Sequence, residues 1–233
     1  MNPADGPLAD EVITDPRSYL VRSSRTVFEG RIVSVRQDEV QMSDGTTGQR
    51  DVVVHPGAVG VIAMDDDDRV VLIRQYRHPV RSYLWEVPAG LMDVTDEPLA
   101  DTARRELLEE AGLTALRWDR LLDLYASPGG STETITIFLA RDLSAADRPV
   151  GFALAAEELD LEVRRVRLDD ALAAVQEGRI RNSLAVAGIL AAVAARAADW
   201  RGLRPAEPTA SAASSAIAAR PSDVPGTGRA PLG

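Results

Sequence analysis

The segment 85–113, WEVPAGLMDVTDEPLADTARRELLEEAGL, constrains the fold most, because it contains a helix with recognisable ends. Pro98 suits the first turn of a helix, and two acidic residues just before it are candidate caps. Gly112 suits the left-handed residue that follows a helix. Apolar residues recur at helical spacing, at Ala100, Ala103, Leu107, Leu108 and Ala111. We therefore predict a helix over residues 98–111 that packs its apolar face on a sheet.

The same helix carries a cluster of three acids, Glu106, Glu109 and Glu110. Residues three and four apart share a helix face, so these carboxylates should converge on one patch. Such acids are usually a solvated face paired with arginines, here Arg104 and Arg105. They could instead hold a divalent cation, which takes oxygen ligands and can bridge a pyrophosphate while it activates water. The helix taken alone leaves both interpretations open.

The longer pattern narrows the choice, because it resembles the signature box of the Nudix hydrolases. The residues that carry the resemblance are Gly90, Glu97, Arg105-Glu106-Leu107, Glu109-Glu110 and Gly112-Leu113. One departure is that six residues separate the first glycine from the first glutamate, where the family has five. The extra residue falls in the loop before the helix, where insertions are best tolerated, and leaves the role of Glu97 open.

The resemblance implies a fold, a metal and its ligands. It implies an α/β fold, the Nudix α/β/α sandwich with a mixed sheet, preceded by a small N-terminal antiparallel β-sheet. The implied cofactor is Mg²⁺, with Mn²⁺ possible. Its ligands would be the backbone carbonyl of Ala89 and the carboxylates of Glu106, Glu109 and Glu110, with Glu109 also counted as catalytic.

Composition excludes several other classes of protein. A net charge of −10 disfavours a nucleic-acid partner, because phosphate backbones are bound mainly through lysine and arginine. The absence of cysteine removes disulfides and cysteine-based zinc sites, and two histidines disfavour a histidine metal site. No apolar run reaches the roughly 18 residues of a membrane span, and the acidic N-terminus differs from a signal peptide. We therefore expect a cytoplasmic protein with no membrane partner.

The chain divides into four predicted regions. Residues 1–24 should be a flexible N-terminus, and alternating apolar and polar residues predict a small antiparallel sheet over 25–56. In the ADP-ribose pyrophosphatase branch of the family a similar sheet exchanges between subunits, so the resemblance implies a homodimer. Residues 57–200 should form the Nudix domain. Residues 201–233, rich in Ala, Pro and Ser, should be a disordered tail.

Within the main domain, strands are predicted over 58–64 and 69–76. The four aspartates between them, 65–68, could suggest a metal site, but a hairpin loop is the favoured interpretation. Strands are also predicted over 116–126 and 132–140, followed by a loop over 141–156 and a further strand over 161–168. A short helix should then cover 169–176, and an apolar helix over 184–200 should be buried.

The strings RQYRHPV and LWEVPAG resemble the ADP-ribose branch, where such residues contact the substrate; here they give Arg74, Arg77 and Glu86. The alternative is that these are ordinary polar residues of an edge strand. Pro128 lies sixteen residues beyond Gly112, and a proline near this position marks the ADP-ribose-specific subfamily.

Pro128 and Gly129 are therefore candidate substrate contacts, although a plain Pro-Gly turn is the simpler interpretation. Glu157 and Glu158 precede the strand over 161–168 and could be solvated loop residues. The family resemblance instead implies that one of them orients or deprotonates the attacking water, without separating the two.

Together these features predict a Mg²⁺-dependent enzyme that hydrolyses the pyrophosphate bond of ADP-ribose to AMP and ribose 5-phosphate. Two alternatives remain. The substrate could be another nucleotide sugar or a dinucleotide, because the pocket rather than the metal box selects it. The chain could also be a non-catalytic, nucleotide-sensing Nudix module, because a fold does not determine function.

Overall fold

The computed structural model describes residues 19–94, 96–148 and 161–207. The strands it describes are β1 (Val21–Glu29), β2 (Ser34–Gln41), β3 (Thr47–Val54), β4 (Ala58–Ala63), β5 (Arg69–Arg77), β6 (Ser82–Glu86), β7 (Ala89–Leu91), β8 (Leu113–Tyr125), β9 (Thr134–Ala145), β10 (Glu162–Arg167) and β11 (Arg204–Pro205). The α-helices are α1 (Leu99–Ala111), α2 (Leu168–Gln176) and α3 (Ser183–Ala197).

The centre of the fold is a five-stranded mixed sheet in the order β11-β8-β9-β4-β7. Strands β4 and β9 run parallel, whereas the other neighbours in this sheet are antiparallel. A second, antiparallel sheet has the order β10-β5-β6, and the N-terminal strands form a separate sheet in the order β1-β2-β3. This arrangement confirms the predicted mixed sheet with an N-terminal antiparallel sheet.

Strand β4 is buried on both faces, which explains its continuous run of apolar residues. On one face, Val59 and Val61 pack in a cluster with Leu107 of α1. On the other face, Ile62 packs in a second cluster with Ile189 of α3. Helices therefore cover both sides of the sheet, and the predicted α/β/α sandwich is confirmed.

Several element boundaries differ from the predictions. Pro98 has extended backbone angles and is the N-cap of α1, so the helix begins one residue later than predicted. Strand β9 continues to Ala145, into the predicted loop over 141–156, because it stays paired with β8. Helix α3 ends at Ala197, followed by Asp199 and Trp200 with positive φ angles.

The predicted tail over 201–233 lies mostly outside the described residues, but its first residues contain β11. Residues 201–207 lie within the described part of the chain, and β11 pairs with Asp119 and Arg120 of β8. Trp200 and Leu203 pack against the larger apolar cluster, which gives this segment apolar contacts that its composition does not suggest. In the described ranges, none of the helices is both long and apolar enough to cross a bilayer.

Candidate active site

Glu106 lies against Gly90, the first glycine of the box. A Cβ atom added to Gly90 would lie 2.0 Å from Oε1 of Glu106, so only glycine leaves room for this carboxylate. Burial raises the pKa of the Glu106 carboxyl group above its ordinary value; Arg105 opposes this shift, and the charges of Glu109 and Asp93 add to it. Glu106 is thus a partly desolvated carboxylate with negative charges beside it.

Glu110 is buried and fixes α1 to the strand that precedes it. Its Oε2 atom accepts a hydrogen bond of 2.8 Å from the backbone N–H of Ala89. Ala89 is the first residue of β7 and pairs with Gly60 of β4. The carboxylate of Glu110 therefore lies directly at the backbone of the residue whose carbonyl is a predicted metal ligand.

Arg105 pairs with three carboxylates of this acidic patch. Its guanidinium group forms ion pairs with Glu106 at 2.7 Å, Glu97 at 3.2 Å and Glu109 at 3.3 Å. The hydrogen bond from Arg105 lowers the pKa of the Glu97 carboxyl group, and a second hydrogen bond, from the hydroxyl of Thr102, adds to this effect. The arginine pairing that the helix alone suggested is thus present, with Arg105 as the shared partner and Glu97 as a member of the cluster.

The acidic patch has the oxygen donors that a divalent cation prefers, although its side chains are not grouped as a closed site. Across residues 19–94, 96–148 and 161–207, no three histidine or acidic side chains are grouped so that they could hold an ion. The donor chemistry nevertheless fits, because Mg²⁺ prefers carboxylate oxygens and Glu106 and Glu109 share one arginine. The burial and like charge that raise the pKa of Glu106 are both conditions that a cation would offset.

Arg77 of β5 and Glu86 of β6 form a bidentate ion pair. Nε and one terminal nitrogen of Arg77 donate to the two carboxylate oxygens of Glu86 at 2.9 and 2.7 Å. Glu86 is 1% exposed, and Gln75 also donates to it. Residues 71, 73, 75 and 77 share one face of β5, and Val71 packs in the cluster that contains α1. The pair therefore lies on the α1 side of the sheet.

Arg74 lies on the other face of the same strand. Its guanidinium carbon is 5.0 Å from the ring centroid of Tyr83, and one of its terminal nitrogens is 3.8 Å from a carboxylate oxygen of Glu162 in β10. Tyr83 pairs with Tyr76, which shares the face of Arg74 because side chains alternate along a strand. The structure therefore separates Arg74 from Arg77 and Glu86, with which it was grouped as a candidate substrate contact.

Pro128 and Gly129 lie in the turn that joins β8 to β9. The carbonyl of Ser127 accepts hydrogen bonds from the N–H groups of Gly130 at 3.1 Å and Ser131 at 2.9 Å, which close the turn. The four aspartates over 65–68 form the predicted loop between β4 and β5, where Asp65 accepts hydrogen bonds from the N–H groups of Asp67 and Arg69. Glu157 and Glu158 lie outside the described residues.

One contact at this site could not be predicted from the motif. Arg148 follows β9 and donates hydrogen bonds to the backbone carbonyls of Glu109 at 2.7 Å and Glu110 at 3.2 Å. A cation at the C-terminal end of a helix complements the helix dipole. No local pattern marks Arg148, because its partners lie 39 and 38 residues away in the sequence.

Comparison with protein families identifies two consecutive regions. Residues 54–185 match the NUDIX domain, and residues 21–53 match the nucleoside diphosphate sugar hydrolase N-terminal domain. The boundary between the two matches falls at the end of β3, where the N-terminal sheet meets the central fold.

Individual relatives agree with these matches. The chain is 43% identical over 169 residues to an ADP-ribose pyrophosphatase from Mycobacterium tuberculosis, covering 72% of this chain and 80% of the relative. It is 34% identical over 158 residues to an ADP-ribose pyrophosphatase from Bacillus subtilis, covering 66% of this chain and 81% of the relative. A solved structure described as an ADP compounds hydrolase has the same fold, with a TM-score of 0.69 at 22% identity, over 79% of this chain and 97% of that one.

Proposed function

This chain belongs to the Nudix family of hydrolases, and we propose that it hydrolyses the pyrophosphate bond of ADP-ribose to AMP and ribose 5-phosphate. The observation that carries the proposal is that carboxylates of the box helix contact β7. Glu106 occupies the space beside Gly90, and Glu110 accepts from the N–H of Ala89. These two contacts hold the acidic residues of α1 against β7, the strand that begins the box. The identity to ADP-ribose pyrophosphatases supports the choice of substrate.

The metal in this proposal is Mg²⁺, with Mn²⁺ as a substitute. Glu106, Glu109, Glu110 and the carbonyl of Ala89 would hold it. When bound, a divalent cation neutralises a diphosphate and lowers the pKa of a water molecule. The protein's own contribution is to hold its carboxylates in place, through the contact with Gly90 and the hydrogen bond from Ala89.

Substrate binding is assigned to Arg77, Glu86 and the turn with Pro128 and Gly129. The buried carboxylate of Glu86 orients the guanidinium group of Arg77, whose side chain is 40% exposed. A planar guanidinium group held in this way suits an oxygen-rich anionic substrate. The proposal leaves Arg74 outside the substrate site, because its side chain lies on the opposite face of β5.

The reaction needs one carboxylate that can orient a water molecule. We assign this role to Glu157 or Glu158, with Glu109 as a further acid near the reacting phosphate. A water oxygen forms a bond to one phosphorus as the bond from that phosphorus to the bridging oxygen breaks. The water proton passes to the carboxylate, and the two phosphate monoesters leave as products.

We also propose that the protein acts as a homodimer through its N-terminal sheet. Large apolar side chains are exposed there, including Val21 at 44%, Val27 at 46% and Phe28 at 56%. Exposed apolar residues of this size on one small sheet favour a protein partner, and the family resemblance makes that partner a second copy. Sedimentation of the purified protein tests this directly, and a monomer at assay concentrations would contradict it. The predicted cytoplasmic location stays a prediction.

The decisive experiment measures release of AMP and ribose 5-phosphate from ADP-ribose, with and without Mg²⁺, beside a panel of nucleotide sugars and dinucleotides. Metal-dependent turnover with preference for ADP-ribose is the expected result. Preference for another nucleoside diphosphate sugar would replace the substrate, a candidate that the match over residues 21–53 also favours. Ligand-induced thermal stabilisation without turnover of any compound would replace the enzyme by a binding module.

A further inference from the structure

The segment that leaves the N-terminal sheet, residues 53–57, runs beside the turn that contains Pro128. Val53 donates its N–H to the carbonyl of Gly130 at 2.8 Å and accepts at its carbonyl from the N–H of Thr132 at 3.0 Å. Val53 and Ser131 accordingly form a parallel bridge. The end of β3, the last strand of the N-terminal sheet, and the turn between β8 and β9 are therefore joined through the backbone. We call residues 53–57 the connecting segment.

One side chain completes this junction. The hydroxyl of Thr132 accepts a hydrogen bond from the N–H of His55 at 3.0 Å and lies 3.4 Å from the carbonyl of the same residue, to which it donates. A hydroxyl group can do both, because it carries one donor and two acceptor positions. Thr132 therefore satisfies both backbone groups of His55, and valine, of nearly the same shape, could satisfy neither.

The same segment contacts the strand that begins the box. Gly57 has a φ of +94°, and a Cβ added to it would lie 3.0 Å from Sδ of Met92 and 3.1 Å from the carbonyl of Thr134. Its carbonyl accepts the N–H of Met92 at 3.1 Å, directly after β7. The connecting segment thus lies between the turn with Pro128 and the strand that holds Ala89 and Gly90.

From these contacts we infer that Thr132 is a positioning residue, which fixes the 127–131 turn relative to β7 and so sets affinity and selectivity for the diphosphate substrate. The inference rests on the proposed function, because it assigns the turn to substrate binding. Thr132 does not act on the reacting phosphate; it acts through the turn. Loosening the turn should weaken substrate binding and leave the chemical step largely unchanged.

The test compares Thr132→Val with Thr132→Ser, and uses Thr46→Val as a matched control. Thr46 also makes a hydroxyl hydrogen bond, to Asp44, but in the exposed hairpin between β2 and β3. Thr132→Val should raise KM for ADP-ribose about tenfold, consistent with loss of a part-buried hydrogen bond, and change kcat by less than about twofold. Selectivity for ADP-ribose over a second nucleotide sugar should fall. Thr132→Ser should restore both values, and Thr46→Val should match the wild type.

An unchanged KM and selectivity in Thr132→Val would overturn the inference, as would a fall in kcat alone or a failure of Thr132→Ser to restore binding. If Thr132→Val does not fold, Thr132→Ala is measured in its place against the same criteria. If the wild-type protein fails to hydrolyse ADP-ribose, the proposed function fails instead. Hydrogen exchange of backbone amides then tests whether Thr132 holds the turn in place. Faster exchange at the Val53 and Met92 amides in Thr132→Val would support this role, and unchanged exchange would overturn it.

Discussion

Arg74 and Arg77, three residues apart on β5, point to opposite faces of the same sheet. Arg77 pairs with the buried carboxylate of Glu86, whereas Arg74 lies over the ring of Tyr83. An odd separation along a strand places two side chains on opposite faces. Two arginines that the sequence groups together therefore have different surroundings and should respond differently to the same substitution.

Replacing each arginine with lysine tests this difference. Arg77→Lys removes the planar fork that bonds to both oxygens of Glu86, so we expect KM for ADP-ribose to rise about tenfold. Arg74→Lys keeps the charge on the far face and should change KM by less than about twofold. Steady-state kinetics of the two variants check the expectation. Equal effects would contradict the assignment of the substrate to the α1 side.

Glu110→Gln tests the acidic patch without changing its shape. The glutamine carbonyl can still accept from the N–H of Ala89, so we expect the thermal unfolding midpoint to stay close to that of the wild type. The lost negative charge should lower kcat on the order of 100- to 1,000-fold, the size of effect seen when one charge-stabilising group is removed. Glu177→Gln, on an exposed residue that pairs with Arg179, is the control. Normal turnover in Glu110→Gln would remove Glu110 from the proposed metal site.

Gly90→Ala tests whether the Glu106 carboxylate must lie beside Gly90. The new methyl group would overlap the Glu106 carboxylate, so that side chain must move. We expect the Mg²⁺ concentration for half-maximal activity to rise about 10- to 100-fold, as when residues that orient metal ligands are changed. Gly48→Ala is the matched control, because its new methyl group meets only the ends of the flexible Arg50 and Met42 side chains. An unchanged Mg²⁺ dependence would show that the position of the Glu106 carboxylate beside Gly90 does not affect metal binding.

Asp123 should contribute to the loss of stability in acid. Burial acts to raise the pKa of its carboxyl group, but hydrogen bonds from Arg120, Arg204 and Thr136 outweigh burial and hold the pKa below its ordinary value of 3.8. A lowered pKa stabilises the folded state above the unfolded-state pKa, and this contribution is lost as pH falls through the folded-state pKa.

Asp123→Asn should therefore lower the free energy of unfolding at neutral pH and make it less dependent on pH below about 4, where the wild-type contribution is being lost. Denaturant unfolding across this pH range provides the measurement. Asp170→Asn, on an exposed residue of α2, is the control and should leave the pH dependence as in the wild type. An identical acid response in Asp123→Asn would show that this network does not contribute.

Local chemistry made the box helix predictable. Its ends depend on Pro98 and Gly112, whose backbone preferences act without help from distant residues. Strand β4 was predictable for a related reason, since its unbroken apolar run requires burial on both faces. The odd spacing of Arg74 and Arg77 is enough to predict that their side chains point to opposite faces of β5. Which of the two faces lies towards α1 depends on how β5 packs.

The sequence by itself determined the box, its helix and the apolar strands β4 and β5, because these follow from residue preferences and spacing along the chain. Only the tertiary structure decided which groups meet at the site. The contact of Glu106 with Gly90, the bond of Glu110 to Ala89 and the junction at Thr132 join residues 16, 21 and 77 positions apart. Such contacts arise from the packing of separate elements, and no local pattern encodes the distance between them.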